Sequence, residues 1–512
     1  MIRKTILLFA VTLVLTALNT VAAQNRGNTL SFQGVENAFT FAPGAFGSGL
    51  DGVTALGKSA SIFYNPAGLS GLKSITFSTG FAMNNHDWWE NQNYKPNRRF
   101  VTLPFYLEGL YIPDPADNGR IDSDVFYESL VDTSYIVTNP EMGVEHFSEA
   151  AADWKQSESL NGLSHFGVAV PFVVQGKQLT VSAGYGSILN GVNFDKNTTY
   201  LTPHPGFIEY DILEIADGSD TLRMDWYSFE RLQRYSLSRV DLGIGYELNK
   251  NIHLGLGMTQ YMGSSDDLQS QDKVGYFDLI DQNEFIWSYD TSNTHYNGSA
   301  DYSGTLLKAG IILDYDHFRL GLSFSSGFEL SKDWSYEEAF TYLQDDTLLT
   351  TATQTVSGQE VMQVPGSYSI GIQLMPVERF TFLLSYEVHP YGSSEFSSDS
   401  TQSLILGDRQ AWLDQSIIQF GMRYRLFDPV HLSFLYRSVP QTYVPDGAAL
   451  KETGPESISY RVGAEVDLGL LGAVDLGLQF QDLKYQDIYF SNTNYAREQG
   501  TSLTVSYIYS IK

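Results

Sequence analysis

No cysteine occurs anywhere in the 512 residues. Disulfide staples and zinc-thiolate centres are therefore excluded, and rigidity must come from another source. Cations are scarce, with 31 Lys and Arg against 59 Asp and Glu for a net charge of −28. So acidic a chain cannot track a phosphate backbone, which excludes nucleic acid as a partner. After the first two dozen residues no apolar run is long enough for a spanning helix. No Gly-x-Ser-x-Gly occurs and the nine histidines are scattered, so the chain does not read as an enzyme and offers neither a metal site nor a cofactor site. A Pro/Ser-rich linker and an abrupt change of composition are both missing, so nothing divides the chain into separate globular domains.

What is present starts with "MIRKTILLFAVTLVLTALNTVAAQ", which has basic Arg3-Lys4, an apolar core from Ile6 to Leu18 and small residues at Val21 and Ala23. It reads as a secretory signal peptide over residues 1–23, cut after Ala23. A glycine-rich stretch follows, and inside it Gly52-x-x-x-x-Gly57-Lys58-Ser59 satisfies the letters of a nucleotide-binding P-loop. The context does not fit. A P-loop needs a buried strand before the glycines and a helix after them. Here the upstream flank is "FAPGAFGSGLD", and Asn65-Pro66 stops any helix within two turns. Export also removes the chain from the cytoplasmic nucleotide pool.

Aromatics are abundant at 14%, with 32 Tyr and 31 Phe. From residue 160 onward apolar and polar residues alternate regularly. Val474, Leu476, Leu478 and Phe480 oppose Asp475, Gly477, Gln479 and Gln481; Ile458, Tyr460, Val462, Ala464, Val466 and Leu468 oppose Ser459, Arg461, Gly463, Glu465 and Asp467. Fourteen such segments can be placed, the first at 73–83 and the last at 501–511. The connections alternate between short ones, such as Gln175-Gly176-Lys177, Asn249-Lys250 and Phe427-Asp428, and long ones near 84–162, 190–234, 263–302, 329–365, 390–414, 439–456 and 485–500. This is the layout of an all-β, 14-stranded antiparallel transmembrane β-barrel, with tight periplasmic turns and long extracellular loops. The terminal strand, Leu503, Val505, Tyr507, Tyr509 and Ile511 on one face, resembles the signal that outer-membrane proteins present to the barrel assembly machinery.

The segment "GAFGSGLDGVTALGKSASIFYNPAGLSGL", carrying Asn65-Pro66-Ala67-Gly68, followed by the strand "KSITFSTGFAM", resembles the start of the FadL/TodX family of outer-membrane transporters. The likeness extends to "HFGVAVPFVVQGKQLTVSAGYG", to "VPGSYSIGIQLMPVERFTFLLSYE" and to the block from Gln419 to Lys484. It implies an N-terminal luminal hatch over 24–72 and a barrel over 73–512, with the Asn-Pro-Ala motif in the hatch. It further implies passive uptake of long-chain fatty acids or aromatic hydrocarbons across the bacterial outer membrane, by a monomer surrounded by outer-membrane lipid and lipopolysaccharide. Family members often carry acidic residues shortly before the motif; Lys58 stands there instead. An alternative of a different class is a PorV-type barrel that serves as scaffold or shuttle in protein secretion. A plain turn into the first strand is the alternative reading of Asn65-Pro66.

Strand parity turns Lys308, Arg319, Arg423, Arg437 and Arg461 toward the lumen. Arg423, Arg437 and Arg461 fall on three sequential strands, and Arg437 and Arg461 are expected to face each other across one ladder and to hold a ligand carboxylate. The competing expectation is ordinary barrel filling, in which these cations pair with Glu465, Asp467 or Asp241. Asp114, Asp117, Asp122 and Asp124 in the first long loop read as solvated charge, because their spacing is not that of an EF-hand calcium loop.

Overall fold

A computed structural model describes residues 32, 34, 35, 39, 52–93, 146–203, 221–280, 284–289, 292–344, 348–399, 412–443, 454–488 and 493–511. The signal-peptide assignment and the loop acids Asp114 to Asp124 lie outside these residues.

Fourteen antiparallel strands close into one barrel. They are β1 (Ile75–Asn93), β2 (Trp154–Val174), β3 (Lys177–Pro203), β4 (Thr221–Asn249), β5 (Ile252–Ile280) and β6 (Asn293–Tyr315), with a short segment Glu284–Tyr289 also on β5. Three interrupted strands follow: β7 (Phe318–Ser325, Phe328–Gln344), β8 (Leu348–Val364, Ser367–Val377) and β9 (Phe380–His389, Glu395–Ser398). The circuit ends with β10 (Gln415–Phe427), β11 (Val430–Pro440), β12 (Glu456–Asp467), β13 (Ala473–Ile488) and β14 (Thr493–Ile511). Closure is made by β1 against β14 along their whole lengths, from Ile75↔Ile511 to Asn93↔Thr493. No sheet edge is left at that seam, which is what a bilayer demands of a β-structure.

Strand count and turn positions agree with the alternation in the sequence; strand length does not. The expected long loops near 190–234, 263–302 and 329–365 are largely strand, and β4 and β5 each run for 29 residues. Roughly ten tilted residues suffice to cross the membrane band. The surplus stands above it as a β-collar, tall on the β3 to β8 side and low where β11 and β12 have 11 and 12 residues.

The outer face records where lipid ends. On β6 the outward residues are His295, Asn297, Ser299, Asp301, Ser303 and Thr305, then Leu307 and Ile311. The inner face changes the opposite way, from Tyr302 and Leu306 above to Lys308 and Gly310 below. On β7 and β8 the two zones also differ in parity. Buried positions are odd below the interruption (Gly321, Ser323, Gly371) and even above it (Phe328, Leu330, Trp334, Tyr336; Met362, Val364). Ser326-Gly327 and Pro365-Gly366 supply the slip, since one extra residue sends every following side chain to the other face. Backbone groups freed at the slip are satisfied locally: Ser326 N–H donates to Leu307 O at 2.8 Å, and Leu307 N–H to Ser326 Oγ at 3.0 Å.

Candidate functional site

Inside the membrane zone lies the segment from Gly52 to Leu72. Its one helix, α1 (Ser61–Tyr64), has four residues and follows turns over 52–60, so among the described residues the Gly52 to Ser59 motif lacks the long helix that a phosphate loop opens. A 3-10 turn, Pro66–Gly71, follows, with Pro66 at its first position and the Asn65 side chain accepting from Ala67 N–H at 3.1 Å.

Asn65 joins plug to wall. It is fully buried, and its Nδ2 donates to Val53 O at 2.7 Å, to Leu322 O of β7 at 3.1 Å and to Ile311 O of β6 at 3.4 Å. Such an approach requires a wall without side chains. A Cβ on Gly310 would lie 1.8 Å from Asn65 Oδ1, and one on Gly255 would lie 2.1 Å from Ala67 N. Pro66, Ala67 and Gly68 are buried against the same wall. Further bonds tie the plug down: Ser323 Oγ to Tyr64 O at 3.0 Å and Ser70 Oγ with His253 Nδ1 at 2.8 Å.

Two ionic clusters complete the attachment. Lys58, the residue standing where acids were expected, reaches Glu465 of β12 at 3.2 Å, and Arg423 pairs with the other oxygen of that carboxylate. On the opposite wall Asp241 accepts from Arg239, from Lys308 at 3.1 Å and from Thr259 Oγ1 at 2.6 Å. Lys308 Nζ and Arg239 Nη2 also donate to Phe63 O of α1, at 3.1 and 3.4 Å. Buried charges of this kind persist only when paired and hydrogen-bonded.

The arginines foreseen as a carboxylate clamp part company. Arg423 is barrel filling on Glu465, as the competing expectation had it. Arg461 extends across Gly477, where a Cβ would clash with its guanidinium, and donates to Thr504 Oγ1 at 2.6 Å on β14. Arg437 pairs in register with Ser459, and its ladder partner on β10 is Gln419. Adjacent strands do carry Arg437 and Arg461, but the Arg461 guanidinium reaches over β13 to β14, away from β11, so the two do not form the expected clamp. Arg437 is 8% exposed, and among the described residues neither its Nε nor its Nη2 has a hydrogen-bond partner.

Between plug and collar lies a narrow cleft of about 70 Å³ that opens to solvent. Arg239, Lys308, Glu387 and His389 line one part of it, and Phe39, Tyr261, Leu306 and Phe328 another. Gln419, the ladder partner of Arg437, also faces it. Phe39 packs edge-on against Tyr261 and Phe328 at 5.2 and 5.4 Å. Above, Tyr235, Tyr302, Trp334, Tyr336, Tyr391 and Trp412 form a buried aromatic core into which Phe32 and Val35 of the N-terminal segment insert. Arg239, Glu387 and His389 were not singled out in the sequence, although their luminal parity on β4 and β9 was there to find them.

A closed fourteen-stranded barrel with residues 52–72 packed against its inner wall defines a class, the outer-membrane β-barrel. Within it, the fold is that of the FadL/TodX transporters. The chain aligns with a Pseudomonas aeruginosa FadL homologue at TM-score 0.56 and 12% identity, covering 96% of this chain and 100% of that one. It aligns with the Pseudomonas putida toluene transporter TodX at 0.52 and 13% (91% and 97% covered) and with the Ralstonia pickettii toluene transporter TbuX at 0.50 and 12% (93% and 100%). At such identities the likeness establishes the fold. No family model and no curated protein matches the sequence.

Proposed function

We propose that this barrel lets hydrophobic small molecules, long-chain fatty acids or aromatic hydrocarbons, cross the outer membrane by diffusion, without ATP. The observation that carries the reading is the lining of the upper lumen. A pore for polar solutes has a polar, water-filled interior. Here the collar presents Tyr261, Tyr302, Phe328 and Trp334 inward and ends on a small-residue plug. Apolar lining with a few placed polar groups is the usual make-up of a small-molecule site. A barrel that served only as a scaffold for protein secretion has no use for such a lumen. A passage for the ligand is also supported by the wall: the luminal cleft and a groove on the lipid face share Ser323, Tyr368 and Ser369 beside the β7 and β8 interruptions.

The test is uptake in a Gram-negative strain lacking its own transporter of this kind. Expression of the chain should raise entry of labelled oleate or toluene without raising entry of a labelled disaccharide. Entry of the disaccharide alone, or co-purification with a secretion complex and no hydrophobic uptake, defeats the reading.

A further inference from the structure

Short connections close the lower rim of the barrel, and at Gln175-Gly176, Lys250-Asn251, Asp316-His317, Glu378-Arg379 and Asp428-Pro429 they consist of residues suited to water. The connection between β12 and β13 differs. It is a 3-10 turn, Gly469–Leu471, flanked by Leu468 and Gly472, and its Leu470 and Leu471 are 78% and 70% exposed. This turn leans onto the lipid face. Tyr507 of β14 looks outward in line with Leu503 and Val505, and its Oη donates to Leu471 O at 2.5 Å. Gly472, at φ 93°, presses on the same strand, where a Cβ would lie 2.3 Å from Ile508 O. The turn also satisfies its own backbone. Leu468 N–H donates to Gly472 O at 2.7 Å and Gly469 N–H to Asp467 Oδ1 at 2.8 Å. Leu471 N–H donates to Leu468 O and Gly472 N–H to Gly469 O, both at 3.3 Å. Backbone polar groups met internally are what lipid requires and water does not.

We propose that the Leu468 to Gly472 turn is a lipid anchor: it inserts Leu470 and Leu471 among the acyl chains of the phospholipid leaflet at the lower rim, and Tyr507 holds it there. Continuity with the lipid face carries the choice of partner. Ala473 pairs with Ile508, so the turn stands beside Tyr509 and Ile511, the last outward residues of β14, which are 39% and 47% exposed. Lipid covers that field already, and tyrosines mark its interface with water. Leu470 and Leu471 extend the field sideways, and they gain free energy by leaving water as it does. On this side β11 and β12 have only 11 and 12 residues, so a foothold here fixes the height of the low wall in the bilayer. The inference is independent of what passes through the lumen.

Because the chain has no cysteine, Leu470→Cys carries a single nitroxide label. The labelled mature barrel is placed in vesicles of phosphatidylethanolamine and phosphatidylglycerol, with assembly checked by heat-modifiability on gels. Power-saturation EPR then reads collisions of the label with oxygen, which concentrates among acyl chains, and with a water-soluble nickel chelate. Leu256→Cys on the lipid face and Lys250→Cys in a polar turn serve as references. The oxygen-to-nickel ratio at Leu470→Cys should stand roughly five-fold above that at Lys250→Cys and approach that at Leu256→Cys. Tyr507→Phe removes the bond to Leu471 and should lower the Leu470→Cys ratio by about half. A ratio equal to that at Lys250→Cys overturns insertion. So does a label that neither reagent reaches, since a second copy of the chain then covers the turn. An unchanged ratio in Tyr507→Phe overturns the part given to the tyrosine. Should Leu470→Cys not assemble, Leu471→Cys takes its place and is read in the same way.

Discussion

On β6, Leu307 and Ile311 look outward and Gly310 inward, whereas a few residues further up Asp301 looks outward and Tyr302 inward. One continuous ladder thus serves two solvents. In the membrane zone lipid covers the apolar face and residues 52–72 pack on the inner one; in the collar water covers the polar face and aromatic rings pack inside. A β-ladder prescribes only that neighbours alternate, and which face is apolar follows from what lies beyond it. The comparison teaches that the collar is stabilised as a soluble protein is, by its own core, whereas the lower barrel is held by its ladder with residues 52–72 packed inside it.

The largest effect should come from the collar core. Lys332 and Glu360 form an ion pair at 3.5 Å, each only 2% exposed, near Asp267, which accepts from Tyr336 Oη at 2.8 Å. Lys332→Met leaves Glu360 and Asp267 without that cation in a dry site, and breaking such a pair costs about 3–5 kcal/mol. Urea unfolding of the barrel in vesicles should lose that much, and Lys332→Met with Glu360→Met should recover a large part. A loss below about 1 kcal/mol would mean that water reaches the collar interior, against the soluble-core picture.

The boundary between zones can be tested from outside. Leu256 of β5 is 68% exposed, on the lipid face of the lower barrel, and Ser299 of β6 is exposed on the collar. An arginine facing the bilayer midplane costs about 2–4 kcal/mol, whereas a change on a wetted surface stays within about 0.5 kcal/mol. Leu256→Arg should therefore destabilise and Ser299→Arg should not. Equal effects would move the membrane boundary.

Much of this was legible in the sequence below the boundary and little above it. The alternation of Leu503 to Ile511 or of Val474 to Phe480 marks strands because lipid requires one wholly apolar face. Above, the same period persists on β7, where Phe328, Leu330, Trp334 and Tyr336 point inward, but Lys332 interrupts the apolar series and Ser326-Gly327 shifts its parity. A window that spans the slip sees both faces mixed and reads as loop. For the site, parity alone placed Lys308, Arg423, Arg437 and Arg461 in the lumen. It could not say which way along the wall a long side chain leans, and so the Arg437–Arg461 pair was expected and is not formed. Lys58 and Glu465 lie 407 residues apart, a pairing that only barrel closure creates.

Next in size is the hatch itself. Asn65 is buried and serves Val53, Ile311 and Leu322 carbonyls as well as Ala67 N–H. Asn65→Ala strands those groups, and a lost buried hydrogen-bond partner costs about 1–3 kcal/mol. Docking of the plug should weaken by that amount while the barrel wall, whose ladder is untouched, keeps its heat-modifiable form. In planar bilayers the variant should pass ions that the wild type holds back. Closed channels with normal uptake would reduce Asn65-Pro66 to a turn leading into β1.

Lys58→Ala should have the smallest effect, and it separates two ways of holding the plug. Lys58 shares Glu465 with Arg423, and all three side chains keep some exposure, 23%, 14% and 23%. Removing Lys58 leaves Glu465 still paired to Arg423, so no carboxylate is orphaned. What is lost is one partly screened contact, worth about 0.2–1 kcal/mol. Conductance should then rise slightly at most, well short of the Asn65→Ala level, and the rise should shrink at high salt because the contribution is Coulombic. If Lys58→Ala instead opens the channel as widely as Asn65→Ala, the plug is held chiefly by charge, and the close backbone fit against Gly255 and Gly310 is packing without much holding power.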